Sequence, residues 1–434
     1  MQRNKLFNTL ILITSLIAQT MQAVDYIDLE GYKKGICQEQ NDGAFLNMLR
    51  DNWNSFKSSI TETAFSDNIN SDIFWNSIRY SLEDGTFCNR VANFQTTDKK
   101  SGSDYFFRTV YLSIQQISVT YKSVAPNGDS IILSGKIFLP QNKIAKNIII
   151  ANHYTICSNK EAPSEANSIE GIYATKGYIV LMPDNIGYGI SDSLPHPYLN
   201  LESTTTTTID LLKAALPYLN AYCYEYYKPL ILVGYSQGGA ATLALQKKLE
   251  EEFADQFSIA KVFAGAGPYN LAKTFDFYIN NPTTDIPCSI PMLLLGMNYS
   301  DNLKLNVNDF FQPFLIEKYP DLIESKTKMM NEVNAYLGKD ITLLLNPIVF
   351  NKTAYPTSVL YKAIEKNNIS PRVPKSQLYL FHSTEDNMVP FFNSKDLKAE
   401  LERQGVHNVQ YDFAPYGNHM KAAVTFFEKV YRML

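Results

Sequence analysis

The chain is predicted to be an α/β protein with a mostly parallel central sheet flanked by helices. Three observations predict this. Between residues 147 and 267, short β-prone apolar runs alternate with runs of helical period, the pattern of strands joined by crossover helices. Just before them, two stretches of period-two alternation flank the turn-forming Ala125-Pro126-Asn127-Gly128, which reads as a hairpin. The alternation then stops at residue 268 and resumes at 375, so a long segment interrupts the sheet before its last two strands.

Composition bounds the rest. The 434 residues are 45% hydrophobic and 19% charged, a globular balance that argues against wholesale disorder. The formal net charge is −4 and no basic run occurs, so a nucleic-acid partner is not expected.

Taken in order, residues 1–23 have the layout of a secretory signal peptide. Arg3 and Lys5 precede an apolar run from Leu6 to about Ala18, and small and polar residues follow, with Ala23 as the expected last residue removed. The run is too short to span a bilayer comfortably. The expected location is therefore exported, either periplasmic or extracellular. In an oxidising compartment some of the five cysteines (37, 88, 157, 223 and 288) should pair; Cys37–Cys88 is the expected disulfide, and the odd count leaves at least one thiol unpaired. Residues 24–113 read as a helical extension packed on the core.

The sheet begins with the hairpin around 114–140. "NIIIAN" at 147–152 is the next strand, "EGIYATKG" a helix ended by Gly177, and "YIVLMPD" another strand. "TTTTTIDLLKAALPYL" is a helix whose threonines sit in its first turn, where capping accounts for them. "PLILVG" and "IAKVFAGAG" are strands on either side of a helix that reaches about Phe253. Residues 268–374, broken by six prolines from Pro282 to Pro347, form a helical cap or lid insertion. "SQLYLFHS", a helix at 392–403, "VQYDFAP" and a last helix from 420 complete a core spanning 114–267 and 375–434.

The chemistry concentrates at strand ends. Gly234-Tyr235-Ser236-Gln237-Gly238 follows a strand and opens a helix, so Ser236 is held out on a sharp turn whose glycines let it close. The helix N-terminus aims N–H groups and a dipole at that serine. A hydroxyl nucleophile needs a base, and His419 lies between the last strand and the last helix. Asp386, in "FHSTEDNMVP", follows a strand and can orient that base; Glu385 is its neighbouring competitor. The expected catalytic set is Ser236, Asp386 and His419. The oxyanion donors expected are the backbone N–H groups of Gln237 and of Tyr154, with Thr155 competing for the second place. His153 is assigned a positioning role. Asp184, in "MPDNIGYGISD", reads as a turn former near the cleft, while His196 and Cys157 read as structural. No metal-ligand spacing occurs, and no metal or organic cofactor is expected.

At these residues the sequence resembles an α/β-hydrolase over roughly 114–434, and more narrowly the secretory lipase family of fungi and bacteria. The matching stretches are the hairpin "SVTYKSVAPNGDSIILSGKIFLP", "PDNIGYGISDS…HPY", "GYSQGGAA", the helical segment after the sixth strand, and "HSTEDNMVP". The resemblance implies hydrolysis of carboxylic esters, including lipids, and a cap that shields an apolar acyl site. It implies an ester or lipid substrate as partner and transient contact with lipid surfaces. The chain departs at the oxyanion loop: many α/β-hydrolases carry His-Gly there, where this one has His153-Tyr154. Two rivals are a serine exopeptidase on the same triad, with Glu317, Asp321 or Glu324 holding a substrate terminus, and a non-catalytic binding module. Retention of all three triad residues argues against the second.

Overall fold

The computed structural model describes residues 114–140, 143–166 and 168–434. The expected signal peptide, the N-terminal extension and the Cys37–Cys88 pair lie outside the described residues.

Strands β1 (Ile114–Val124) and β2 (Ser130–Pro140) form an antiparallel pair in register from Ile114 opposite Pro140 to Val124 opposite Ser130. The turn between them is closed by Ala125 N–H donating to the Asp129 carbonyl at 2.8 Å, with Gly128 at φ 90°. The following strands are β3 (Ile144–Asn152), β4 (Ile179–Pro183), β5 (Glu225–Tyr235), β6 (Ile259–Gly265), β7 (Gln377–Ser383) and β8 (Val409–Ala414). They make one eight-stranded sheet in the order β1-β2-β4-β3-β5-β6-β7-β8. β2 runs antiparallel to both its neighbours, and every pairing from β4 to β8 is parallel.

The parallel strands are apolar on both faces because helices cover both. Ile148 and Ile150 of β3 join one apolar cluster with Leu232, Val262, Ala264, Leu378 and Leu380. The alternate residues Ile149, Ala151, Val233, Phe263 and Phe381 join a second cluster on the opposite face. Helices α1 (Leu201–Ala221) and α2 (Gln237–Glu252) cover the first face with Leu211, Leu212, Leu245 and Leu249. After β6 come five helices: α3 (Leu271–Asn280), α4 (Ser289–Ser300), α5 (Pro313–Tyr319), α6 (Met330–Leu337) and α7 (Thr357–Glu365). They share an apolar cluster of their own that includes Phe275, Leu294, Phe310, Leu344 and Leu360. α8 (Phe392–Arg403) rejoins the first face through Leu397 and Leu401, and α9 (His419–Met433) covers the second with Phe426, Phe427 and Val430. Each fully buried side chain of this size contributes roughly 1.5–3 kcal/mol.

Two local expectations change in detail. "EGIYATK" forms a 3₁₀ helix over Ile169–Lys176 rather than an α-helix, ended as expected by Gly177 at φ 89°. The threonine run does not cap α1. Asn200 does, accepting from Ser203 N–H at 2.9 Å, and Thr204 to Thr208 lie one turn further on. There Thr204 and Thr208 donate back to the carbonyls of Asn200 and Thr204, at 2.9 and 2.7 Å. This back-bonding satisfies hydroxyls that are buried against the sheet.

Glu170, in that 3₁₀ helix, is only 1% exposed, and its Oε2 has no hydrogen-bond partner. Burial pushes its carboxyl up to about 7. Its proton is therefore kept in the folded state at pH values where the unfolded chain has released it. Stability falls as pH rises from about 4.5 towards 7, by about 3 kcal/mol in total. Glu170→Gln keeps the shape and removes the ionisation. Denaturant unfolding at pH 4 and pH 8 should show the parent losing that much relative to the variant; parallel behaviour of the two would refute the assignment.

Candidate active site

The site is assembled where β3, β5 and β7 end. β5 runs straight into α2 through Ser236, whose backbone sits at φ 58°, ψ −123°, a conformation rarely adopted by a non-glycine residue. Its N–H donates to the Gly265 carbonyl at 2.9 Å, which fixes the turn against β6. The flanking glycines are required by contact. A Cβ at Gly234 would lie 2.1 Å from the Gly238 oxygen, and one at Gly238 would lie 2.0 Å from the Asn152 oxygen. Gln237 opens α2, so its N–H is among the first-turn donors that have no partner within the helix.

Asp386 follows β7, and its side chain is fully buried. One carboxylate oxygen, Oδ1, accepts from the N–H groups of Met388 and Val389 at 2.9 and 2.8 Å. The other, Oδ2, accepts from His419 Nδ1 at 2.6 Å. Burial alone would raise this carboxyl. The His419 charge and the hydrogen bonds from His382 and His419 override burial and hold it well below the usual carboxylate range. Glu385 turns elsewhere, accepting from Gly417 N–H at 3.0 Å in the loop that leads to His419.

His419 is the first residue of α9, which is capped by Asn418. Its N–H donates to Asn387 Oδ1 at 3.1 Å, and its carbonyl accepts from the Tyr235 hydroxyl at 2.7 Å. The Tyr235 ring lies against the imidazole with centroids 4.9 Å apart. Tyr235 immediately precedes Ser236, so this contact ties the segment around His419 to the Ser236 turn.

On the other side, the loop after β3 carries His153, Tyr154 and Thr155. His153 is buried; its Nδ1–H donates to the Tyr154 carbonyl at 2.6 Å and its Nε2 accepts from Asn185 Nδ2 at 2.8 Å. Burial pushes this imidazole down, so it is held neutral and pins the loop. Thr155 Oγ1 and the Tyr198 hydroxyl share a hydrogen bond of 2.7 Å. Asp184 is a clamp: Oδ2 accepts from Ser134 Oγ at 2.5 Å and Oδ1 from Ser164 N–H at 2.7 Å. His196 is buried and pushed down to about 3, chiefly by desolvation, with Nδ1 donating to the Ile186 carbonyl at 2.7 Å.

Ser236 opens on a narrow cleft continuous with solvent. It is lined by Thr155, Tyr198, Gln237 and Met388 and by apolar residues of α3 and α4, among them Leu271, Phe275, Ile290 and Leu293. No residue of this lining carries a charge. Of the two candidates for the second oxyanion donor, Thr155 lines the cleft and Tyr154 does not. Glu317, Asp321 and Glu324, the acids weighed for a terminus-binding role, are exposed on the helical segment and are absent from the lining. Among the described residues no cluster of histidine, cysteine or acidic side chains could hold a metal ion. The described cysteines, Cys157, Cys223 and Cys288, are free thiols, and the buried Cys157 Sγ contacts Met292 Sδ at 3.7 Å.

Three contributors escape the sequence reading. Tyr235 occupies the unspecified position of Gly-x-Ser-x-Gly, where nothing in the pattern gives it a task. Tyr278, from α3, donates to the Met388 carbonyl and so braces the aspartate loop from the helical segment. His382 lies four residues before Asp386 with its Nε2 3.4 Å from Asp386 Oδ2; that spacing at a strand end is the one signal available for it.

An eight-stranded, mostly parallel sheet with a strained serine turn after its fifth strand in chain order, and an Asp–His pair after its last two, defines an α/β-hydrolase. Solved structures agree on the fold. A protein of Legionella pneumophila subsp. pneumophila described as a hydrolase superposes with a TM-score of 0.67 at 23% identity, covering 74% of this chain and 88% of that one. The rice cell wall degrading esterase LipA of Xanthomonas oryzae gives 0.66 at 20% identity over 74% and 89%. Candida antarctica lipase A gives 0.56 at 14% identity over 70% and 73%. A sequence search of curated proteins finds no match. The chain belongs to the secretory lipase family, whose model matches residues 165–428. It is a carboxylic ester hydrolase of the lipase and esterase type.

Proposed function

We propose that the protein is an exported serine esterase or lipase acting through Ser236, His419 and Asp386 by way of an acyl-enzyme. The observation that carries this is the strained Ser236 turn facing an uncharged cleft, with His419 held at 2.6 Å from a buried carboxylate beside it. Because Nδ1 of His419 is committed to Asp386, its Nε2 is the basic nitrogen. Nε2 takes the Ser236 proton as Oγ attacks the ester carbonyl, and returns it to the leaving alcohol. Water, deprotonated by the same nitrogen, then attacks the acyl-enzyme and releases the acid. The Gln237 N–H supplies one oxyanion donor. The second comes from the 154–155 segment, with Tyr154 N–H as the assigned donor and Thr155 N–H as its alternative at the cleft wall.

The family supports export, and the reading extends this to cleavage of the leader after Ala23. The substrate is an ester whose acyl group enters the apolar cleft beneath residues 268–374, which act as the cap. The uncharged lining favours this over an exopeptidase, which needs a counter-charge for a substrate terminus. Purified protein should release p-nitrophenol from p-nitrophenyl esters, and a fluorophosphonate should inactivate it at one equivalent per chain. Peptide mapping should place the phosphonyl group on Ser236; an adduct elsewhere, or turnover by fully labelled protein, would overturn the reading. A chain-length series of the same esters then separates lipase from short-chain esterase.

A further inference from the structure

Asp386 is bracketed by two histidines. His382, the sixth residue of β7, is fully buried. Its Nε2 faces two acceptors, the Val389 carbonyl at 3.0 Å and Asp386 Oδ2 at 3.4 Å. A nitrogen that meets only acceptors must carry the hydrogen, so Nε2–H is a donor shared between them. Nδ1 is left as the acceptor, and the buried Ser394 Oγ, in α8, donates to it at 2.7 Å. The Phe391 ring stands edge-on to the imidazole at 5.6 Å and closes the remaining side.

Met388 and Val389 N–H bond Oδ1 and His419 bonds Oδ2, and His382 Nε2, whose shorter bond goes to the Val389 carbonyl, lies 3.4 Å from that same Oδ2. We propose that His382 is a positioning residue for catalysis, whose Nε2–H fills the last acceptor site of Asp386 and sets how strongly that carboxylate holds the His419 imidazolium. The proposal rests on the triad reading above. The other titratable groups facing Asp386 are Tyr235 from β5 and Tyr278 from α3, both pushed up by burial and so neutral across the working range. His382 does not line the cleft, so its effect should fall on kcat and leave KM in place.

The physical consequence has a sign. A carboxylate that loses a donor becomes a stronger base and stabilises the protonated Asp386–His419 pair. That pair must lose a proton before Ser236 can be activated. The acidic limb of kcat/KM against pH therefore moves to higher pH when His382 stops donating.

Gln and Asn separate the two ring nitrogens, because a glutamine amide reaches the place of Nε2 and an asparagine amide only that of Nδ1. H382N should lower kcat on a p-nitrophenyl ester about tenfold and move the acidic limb up by about half a pH unit. H382Q should recover most of kcat and return the limb to the parent position. A merely structural histidine predicts lower stability and lower kcat in both variants with the limb unmoved, and that result would overturn the proposal. If H382N does not fold, H382M, which fills the space of the glutamine without its donor, takes its place beside H382Q: a limb moved up in H382M alone supports the proposal and a limb at the parent position in both refutes it. Asp386→Asn, run in parallel, tells the two readings apart. If it retains activity the triad itself is wrong; if it is inactive while H382N keeps the parent profile, only the His382 role fails.

Discussion

Ser236→Ala is expected to lower kcat on p-nitrophenyl esters about 10⁶-fold while the protein stays folded. The size follows from losing the nucleophile as part of a unit: without Oγ, His419 has nothing to activate. What remains is the weak acceleration that oxyanion donors and substrate binding give to attack by water. The fold survives because alanine keeps the Cβ already accommodated at φ 58°, and because the Ser236 N–H bond to Gly265 belongs to the backbone. The measurement is a progress curve at high enzyme concentration, beside circular dichroism of the same sample. A variant as active as the parent would remove Ser236 from the chemistry.

Asp386→Asn is expected to lower kcat about 10⁴-fold. Asparagine fits the buried site, and its carbonyl can still accept from Met388 and Val389 N–H. Its amide then faces His419 Nδ1 and donates where the carboxylate accepted. The imidazole must keep its proton on Nε2, the nitrogen that has to receive one from Ser236, and no anion remains to stabilise the imidazolium. KM should change little, because Asp386 lies behind the histidine and outside the cleft lining. Glu385 offers no substitute while its carboxylate is committed to the Gly417 N–H. Retention of kcat in this variant would shift the acid to Glu385 or elsewhere.

Much of this site could be read along the chain because each part combines a residue type with a strand end. Gly234 and Gly238 announce a turn that tolerates no side chain, and the turn singles out Ser236. Asp386 follows β7 and His419 opens the helix after β8, where an order of serine, acid, base places them. What the sequence leaves dark depends on packing across distant segments. The hydroxyl of Tyr235 reaches a carbonyl 184 residues away, and Tyr278 reaches the aspartate loop across 110. No local period encodes either contact. The threonine run misled for a related reason. Hydroxyls at a helix start suggest capping, but Asn200 holds that position, and Thr204, Thr207 and Thr208 face a buried surface where they bond back to helix carbonyls and, from Thr207 and Thr208, to the Asn185 and Asn152 side chains. His382 sat inside a stretch already noted for its aspartate, and a histidine on a buried strand gives no sign of which carboxylate it meets until the loop is folded over it.

The helical excursion leaves the carboxyl end of β6 and returns to the start of β7, and the two strands it joins pair in parallel from Lys261 opposite Gln377 to Gly265 opposite Phe381. Both ends are anchored by sheet hydrogen bonds that do not depend on what lies between them. A lineage could lengthen, shorten or exchange the whole excursion without displacing the strand ends that carry Ser236, Asp386 and His419. On the proposed reading, ester preference and reactivity then reside in separable parts of the chain. Selection for a new ester can act on α3 and α4, whose apolar side chains line the cleft, while the hydrolytic apparatus is inherited intact. Among the constraints on such change are two threads, Tyr278 to Met388 and Asp285 to Asn387, by which the excursion reaches down to the aspartate loop. Any replacement would have to retie them.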